Sequence, residues 1–208
     1  MLVKESIFYK LKEITKDPRS YHLFILAVFR RLQLKKVTNN KQNFFQYRNE
    51  LYPEYLNQGN ALFYIREKAL TFCKGTGLDI GAGDWPLPGA KPIQNDSTLN
   101  AYNLDPIPAS SQDFIFSSHC LEHLYGWKNI LKLWIHRLKN GGILFLYLPH
   151  KSMKLWNPGG PWVGGHHKWQ PTADVIIPFL KENGMEIIDY NPDKDIYWSF
   201  HIAARKQG

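Results

Sequence analysis

The chain has 208 residues and a formal net charge of +8, with 44% hydrophobic and 21% charged residues. This composition is that of a globular protein with one sizeable core, and it excludes an intrinsically disordered chain. The longest apolar run, from Leu23 to Phe29, is far shorter than the roughly 20 residues that span a bilayer, so we expect no transmembrane helix. We expect this run to lie in a buried helix, with an interfacial helix as the alternative because Arg30 and Arg31 follow it.

The positive charge suits an anionic membrane surface, a nucleic acid or an acidic substrate. The sequence shows no zinc-finger, recognition-helix or aromatic-glycine RNA-binding motif, so we expect no nucleic-acid partner, whereas peripheral membrane contact through the basic N-terminal helices stays open. Cys73 and Cys120 form no spaced framework, and the first residues lack a secretory signal pattern. These features predict a cytoplasmic protein and leave its oligomeric state undefined.

Residues 1–72 are predicted to form a mostly helical extension or cap. Apolar residues recur at helical spacing from Leu2 to about Leu34, with an interruption near Pro18, which can begin the second helix. The stretch VTNNKQN, residues 37–43, predicts a loop, and a further helix is predicted from about Gly59 to Cys73.

Residues 73–208 are predicted to form a second domain, in which short apolar runs alternate with turns. The predicted strands are GLDIGAG, DFIFSS, GGILFLYLP, MEIIDY and YWSFHIAARK. Between the second and third of these lies a helical stretch with Leu131, Trp134, Ile135 and Leu138 on one face. This rhythm predicts an α/β fold: a Rossmann-like doubly wound sheet, mostly parallel, with an antiparallel C-terminal hairpin.

The stretch LDIGAGDWP, residues 78–86, places glycines at the carboxyl end of a strand, where open α/β sheets bind ligands. A dinucleotide would require a third glycine where this chain has Pro86, and Asp84 would bring a carboxylate close to its phosphates. The turn therefore disfavours a dinucleotide and suits a ligand that has no phosphate. A side chain at Gly81 is expected to fill the space that such a ligand needs.

The stretch SSHCLEHL contains His119, Glu122 and His123 in the spacing H-x-x-E-H of inverted zinc proteases. Three features oppose that interpretation. The motif follows a strand of a βαβ pattern, its helical part lasts for only about one turn before YGW, and no obvious helix supplies a third ligand. We therefore predict no metal site, with a zinc hydrolase as the remote alternative.

Taken together, LDIGAG, DFIFSSHCLEHL and LKNGGILFLYLP resemble the class I S-adenosylmethionine-dependent methyltransferases, particularly the small enzymes with a methyltransferase type 11 domain. The resemblance covers about residues 75–208. It implies that S-adenosyl-L-methionine (SAM) is the cofactor. The positions that it implies for cofactor binding are Asp79, Gly81, Ala82, Gly83, Asp84, Ser118 and His119.

The segment between Gly83 and Asp113 is short for this family, which usually places a helix and two strands there. The three prolines of DWPLPGAKP predict a truncated helix, after which AKPIQND is the second strand. Asp96, with Asn95 close behind, is then the candidate for the ribose hydroxyls. Asn100 and Ala101 are the candidates for the adenine. If NAYNLD is instead the second strand, Asp105 holds the ribose.

The long loop after GGILFLYLP is rich in Gly, Pro, Trp and His. The resemblance to related small methyltransferases makes His166 and His167 the candidate catalytic bases, although the pair can equally anchor the loop. Trp156, Trp162 and Trp169 can stack on a substrate, but aromatic packing within the loop is the favoured role.

The sequence thus predicts an enzyme that transfers a methyl group from SAM to an oxygen or nitrogen atom of a small-molecule or saccharide acceptor. A nonenzymatic binding or scaffold protein of the same fold is the alternative.

Overall fold

The computed structural model describes residues 18–94 and 98–208. These residues form two compact units. The smaller unit consists of residues 18–59 and 153–170, and the larger consists of Asn60–Ser152 and Pro171–Gly208. This division does not follow the predicted boundary at residue 72, because the helix that precedes this boundary groups with the larger unit.

In its described part, the smaller unit combines one α-helix with a three-stranded antiparallel sheet. A short 3-10 helix, Pro18–Ser20, leads into the α-helix, and another, Glu54–Gln58, follows the last strand. The other elements are α1 (Tyr21–Arg31), β1 (Leu34–Asn39), β2 (Gln42–Tyr47) and β3 (Glu50–Pro53).

Two predictions for this unit are wrong. The predicted loop 37–43 contains the end of β1 and the start of β2, joined by Asn40 and Lys41, whose φ angles are 47° and 63°. Such paired left-handed residues make a two-residue hairpin turn. Of the apolar run from Leu23 to Phe29, only Ala27 is buried, so the helix is not a buried one.

The larger unit is built on a six-stranded sheet, in the order β5-β4-β6-β7-β9-β8. The first three pairings are parallel, whereas β9 runs antiparallel to both of its neighbours. The elements are α2 (Leu62–Phe72), β4 (Gly77–Ile80), β5 (Ala90–Ile93), β6 (Gln112–Ser118), α3 (Trp127–Arg137), β7 (Leu138–Pro149), α4 (Ala173–Glu182), β8 (Met185–Asn191) and β9 (Ser199–Lys206). The predicted α/β fold with its antiparallel C-terminal hairpin is confirmed.

Strand β7 lies in the core of this sheet, and its residues from Leu144 to Leu148 are all fully buried. A strand that is buried on both faces reads as a continuous apolar run, which is why ILFLYL was recognisable in the sequence. Helix α3 buries its apolar stripe, as predicted, with Leu131 and Trp134 completely inaccessible to solvent.

The connection between β4 and β6 departs most from a regular βαβ unit. Residues 81–89, all of them described, contain no helix. Within residues 98–111 the only strand-like feature is an isolated bridge between Asn100 and Asn103. Among the described residues, no helix is both long enough and apolar enough to cross a membrane.

Candidate functional site

The glycine turn, residues 81–83, follows β4 at the middle of the parallel part of the sheet. All residues of β4 are buried, and it pairs with β5 on one side and β6 on the other. The backbone N–H of Gly81 donates to the carbonyl oxygen of Ile93 at 2.8 Å, which ties the turn to β5. Gly81 and Gly83 have φ angles of +84° and +54°, a region that other residues rarely adopt.

The two glycines serve different purposes. A Cβ atom on Gly81 would lie 2.5 Å from the Cβ atom and 2.6 Å from the Sγ atom of Cys120. Hence the space beside Gly81 belongs to a side chain of the protein, and the expectation that a ligand occupies it is wrong. A Cβ atom on Gly83 would meet nothing within 4 Å. Gly83 therefore presents bare backbone to open space.

Asp79 lies in β4 and is almost completely buried. Its Oδ2 atom accepts a hydrogen bond from the backbone N–H of Leu87 at 2.7 Å. Burial raises the pKa of the Asp79 carboxyl to about 6, although the bond from Leu87 opposes this rise. The Oδ1 atom is buried and has no hydrogen-bond partner among the described residues. Asp79 thus fixes the loop 81–89 and keeps one acceptor oxygen for a donor.

The remaining residues of the turn are held by backbone and side-chain hydrogen bonds. The N–H of Trp85 donates to the carbonyl oxygen of Ala82 at 3.2 Å, and the Gln94 side chain donates to that of Gly83 at 3.0 Å. Asp84 is exposed. The participation of Ala82 and Asp84 in cofactor binding stays a prediction.

The end of β6 supplies the next predicted positions. The Ser117 hydroxyl donates to the carbonyl oxygen of Ile80 at 2.9 Å. The Ser118 Oγ atom is buried without a hydrogen-bond partner among the described residues. His119 has a left-handed φ of 48°, and its Nε2 atom lies 2.8 Å from the Ser199 hydroxyl. Burial, together with the charge of His123, lowers the pKa of His119 to about 3, so the ring is neutral at physiological pH.

The H-x-x-E-H segment does not have the geometry of an inverted zinc protease. In those enzymes the two histidines share one face of an α-helix. Here the backbone of His119 has a left-handed φ, and the helical part of the segment is one 3-10 turn, Leu121–His123. Glu122 is fully buried, and its Oε1 atom lies 3.7 Å from His119 Nδ1 and 3.8 Å from His123 Nε2. Burial raises the pKa of the Glu122 carboxyl to about 8, so it is protonated at neutral pH.

Residues Ala90–Ile93 form β5, which confirms AKPI as the second strand. The segment predicted to hold the ribose of the cofactor follows this strand. NAYNLD does not form a strand, so the alternative alignment is wrong. Asn95 and Asp96 lie outside the described residues, and their assignment to the ribose stays a prediction. Asp105 is exposed and pairs with Arg137 at 3.3 Å.

The two residues predicted to contact the adenine are engaged within the chain. The Asn100 Oδ1 atom accepts from the backbone N–H groups of Tyr102 at 2.9 Å and Asn103 at 3.1 Å. The carbonyl oxygen of Ala101 accepts from the indole N–H of Trp134 at 2.9 Å. These bonds shape the loop before β6, and the adenine contact itself stays a prediction.

A cleft of about 280 Å³ adjoins the glycine turn. It is formed by the loop that follows β4 and by the start of α2. Trp85 and Phe63 are both largely exposed there, and Arg66 supplies a positive charge. The other lining residues are Asn60, Leu62, Asp84, Pro86 and Pro88.

His166 and His167, the candidate catalytic bases, belong to the smaller unit. His167 is buried, His166 is half-buried, and the N–H of His166 donates to the carbonyl oxygen of Val163 at 3.0 Å. In the same loop Trp162 makes an edge contact with Phe45 at 5.1 Å. The favoured role of the loop tryptophans in aromatic packing thus has direct support for this residue, whereas the catalytic assignment stays a prediction.

Comparison with solved structures identifies the fold. An S-adenosylmethionine dependent methyltransferase from Mesorhizobium loti matches with a TM-score of 0.53 and 14% identity, over 72% of this chain and 100% of that one. An O-methyltransferase family protein from Burkholderia thailandensis matches with a TM-score of 0.51 and 11% identity, over 73% and 58% of the respective chains. The chain has the class I methyltransferase fold. No protein-family model and no curated protein matches the sequence.

Within this methyltransferase fold, several residues that shape the site were not predicted. The Tyr147 hydroxyl donates to Asp195 Oδ2 at 2.6 Å, and Asp195 Oδ1 accepts from the backbone N–H groups of Tyr197 and Ser199. This cluster positions Ser199, which contacts His119. The residues DIYWS could have been recognised as a turn. The hydrogen bond between this turn and Tyr147 could not have been predicted, because the two lie 48 residues apart in the sequence.

Proposed function

We propose that the chain is a SAM-dependent methyltransferase that acts on an oxygen or nitrogen atom of a small-molecule or saccharide acceptor. The observation that carries this proposal is the edge of the sheet at the carboxyl ends of β4 and β6. A glycine turn there faces open space at Gly83, beside the buried carboxylate of Asp79. Ligands of open α/β sheets bind at such an edge.

The groups at this edge suit SAM better than a phosphate-bearing ligand. The buried Asp79 Oδ1 and Ser118 Oγ atoms have no hydrogen-bond partner among the described residues, and buried polar atoms are costly unless paired. The ammonium group of SAM is a donor that would suit a carboxylate. Asp84 is an exposed acid beside the turn, which repels phosphate and favours a cation.

In this reaction the protein would align the acceptor atom with the methyl group of the cofactor and exclude water. The bound cofactor supplies an activated methyl group, and displacement at that carbon needs the acceptor atom in line with the sulfur. Neutral His119 would form part of the wall of this edge, where it carries no charge that repels the sulfonium. If the acceptor must lose a proton, His166 or His167 is the proposed base.

The cleft beside the turn supports an acceptor with a flat apolar face. Trp85 is 45% exposed and Phe63 is 70% exposed, although large aromatic side chains are usually buried. Aromatic faces stack on sugar rings and on other aromatic groups. Arg66 lines the same cleft and would favour an acceptor that also carries a negative group.

A nonenzymatic protein of the same fold is the second candidate, and one observation favours it. The Asn100 amide oxygen already accepts two backbone hydrogen bonds within the chain, so it is not poised for the adenine of an adenosyl group. A protein that retains the sheet without this part of the pocket would bind the cofactor weakly.

Transfer of a labelled methyl group from SAM to a panel of amino and hydroxyl compounds, including saccharides, tests the proposal. We expect labelled product with the wild-type chain and a loss of at least tenfold in His167→Ala if that histidine is the base. Binding of SAM without transfer to any acceptor would support the nonenzymatic candidate. Absence of both binding and transfer in the folded protein would contradict the proposed function.

A further inference from the structure

Helix α1 exposes an apolar face. Tyr21, Ile25, Val28 and Leu32 follow one another at intervals of four, three and four residues, which places them in one stripe along the helix. Phe29 lies beside the stripe. All five side chains are exposed, with Phe29 at 63% and Leu32 at 80%. An exposed apolar stripe of this kind marks an interaction surface.

The side of α1 opposite the apolar stripe packs against other residues of the smaller unit. Rotation of the helix to bury the stripe would break these contacts. Ala27 is buried, and a Cβ atom on Gly164 would lie 3.8 Å from the Ala27 Cβ atom. The Arg30 guanidinium donates to the carbonyl oxygen of Gly159 at 3.0 Å. The loop 157–165 therefore holds the inner side of the helix.

Positive charge adjoins the apolar stripe. Arg31 ends the helix, and Lys35 is exposed on β1, the next element of the same unit. The chain as a whole carries a net charge of +8. This combination of an apolar helical face with basic neighbours is typical of helices that lie in the interface of an anionic membrane.

We propose that α1 docks this protein on anionic lipid bilayers. The stripe from Tyr21 to Leu32 would lie in the plane of the interface, with Phe29 and Leu32 inserted among the acyl chains and Lys35 near the lipid phosphates. The stripe is about 16 Å long, roughly half the thickness of the hydrocarbon core, so the helix lies on the bilayer and does not cross it. The arrangement would hold the enzyme beside acceptors that are carried on or near a membrane.

Charge favours a lipid surface over a second copy of the chain. In a symmetric dimer the same patch meets itself. Two copies joined through this stripe would place two sets of basic residues, each including Arg31 and Lys35, at the edges of one interface, and nothing in such an interface would neutralise their charge. An anionic bilayer instead neutralises them.

Vesicle flotation with the full chain tests the proposal. We expect the protein to float with vesicles of phosphatidylcholine and phosphatidylglycerol and to bind pure phosphatidylcholine vesicles at least fivefold more weakly. Binding should weaken when the salt concentration rises from 0.1 to 0.5 M, because salt screens the attraction of surface charges. Failure of the wild-type protein to float with the anionic vesicles would overturn the proposal without any variant.

Matched variants locate the surface. Leu32→Ser should lower the vesicle partition coefficient about tenfold, whereas Ile196→Ser, which removes an apolar side chain that is 70% exposed in the larger unit, should leave it unchanged. Lys35→Gln should lower it about fivefold, while Lys91→Gln on β5 serves as the control for loss of one exposed charge. Equal losses in a variant and its control would refute the assignment to α1.

Sedimentation velocity separates the lipid surface from a second copy. We expect the wild-type protein to keep one sedimentation coefficient over a hundredfold range of concentration in the absence of lipid. A dimer that Leu32→Ser abolishes, together with no vesicle binding, would assign the stripe to self-association and overturn the proposal. The SAM affinity of Leu32→Ser should equal that of the wild-type protein. A failure of the membrane proposal can therefore be distinguished from a failure of the proposed function.

Discussion

The side chain of Cys120 occupies the position that a side chain on Gly81 would need. The two residues are far apart in the sequence, yet a Cβ atom on Gly81 would lie only 2.5 Å from that of Cys120. The segment after β6 thus packs directly against the turn after β4, and the glycine is required by the fold. The candidate binding surface of the turn lies at Gly83.

Replacing Gly81 should destabilise the fold more than replacing a glycine of similar conformation. Gly89 has a φ angle of 81°, close to the 84° of Gly81, but a Cβ atom there would meet nothing within 4 Å. Gly89→Ala should therefore cost only the backbone strain, on the order of 1 kcal/mol. Gly81→Ala should cost about 2 kcal/mol more because of the clash with Cys120. Urea unfolding measures the stability of both variants. Equal losses of stability would contradict the close packing of Cys120 against Gly81.

Glu122 should make stability depend on pH. Burial raises the pKa of its carboxyl from 4.5 to about 8, so between these values the folded state binds a proton that the unfolded state has lost. This contribution to stability is complete below pH 4.5 and is lost as the pH rises through 8. Glu122→Gln should therefore gain stability relative to the wild-type protein between pH 5 and 8, on the order of 3 kcal/mol.

Thermal unfolding at several pH values checks this expectation. Glu182 is exposed on α4, so Glu182→Gln should follow the wild-type pH profile. Parallel profiles for the wild-type protein and Glu122→Gln would show that Glu122 is ionised in the fold.

The hydroxyl of Tyr147 should contribute to stability through Asp195. Tyr147 is fully buried, and burial together with the Asp195 charge raises the pKa of its hydroxyl. Tyr147→Phe removes the 2.6 Å hydrogen bond and should cost about 1–3 kcal/mol. Tyr190 is 50% exposed, so Tyr190→Phe should change stability by less than about 0.5 kcal/mol. Chemical denaturation compares the stabilities of the two variants. Similar losses of stability would argue against a structural role for the hydrogen bond between Tyr147 and Asp195.

Asn100 should act first as a turn residue. Its side-chain oxygen accepts two backbone hydrogen bonds, and an aspartate could accept the same two. Asn100→Ala should destabilise the protein by about 1 kcal/mol, whereas Asn100→Asp should remain close to wild type. A stable Asn100→Ala protein, measured by urea unfolding, would mean that the turn does not depend on this amide.

The sequence predicted the elements whose signal is local. The buried strand β7 and helix α3 were recognised because apolar runs and helical spacing are direct signs of burial. The hairpin of β1 and β2 was missed because β1 is mostly exposed and its turn at Asn40 and Lys41 contains no glycine. In the site, the turn was placed correctly, but the contact between Gly81 and Cys120 depends on how two strands align, which spacing does not reveal.

Isothermal titration of SAM into the purified full chain tests the central claim, that the edge at Gly83 binds this cofactor. We expect one site with a dissociation constant in the micromolar range. Gly83→Leu should weaken binding at least tenfold by filling the open space beside the turn. Gly89 also has a left-handed φ and open surroundings, but it lies at the amino end of β5. Gly89→Leu should therefore leave the affinity for SAM unchanged. No heat of binding in a folded wild-type protein, or equal affinity in Gly83→Leu, would contradict the account.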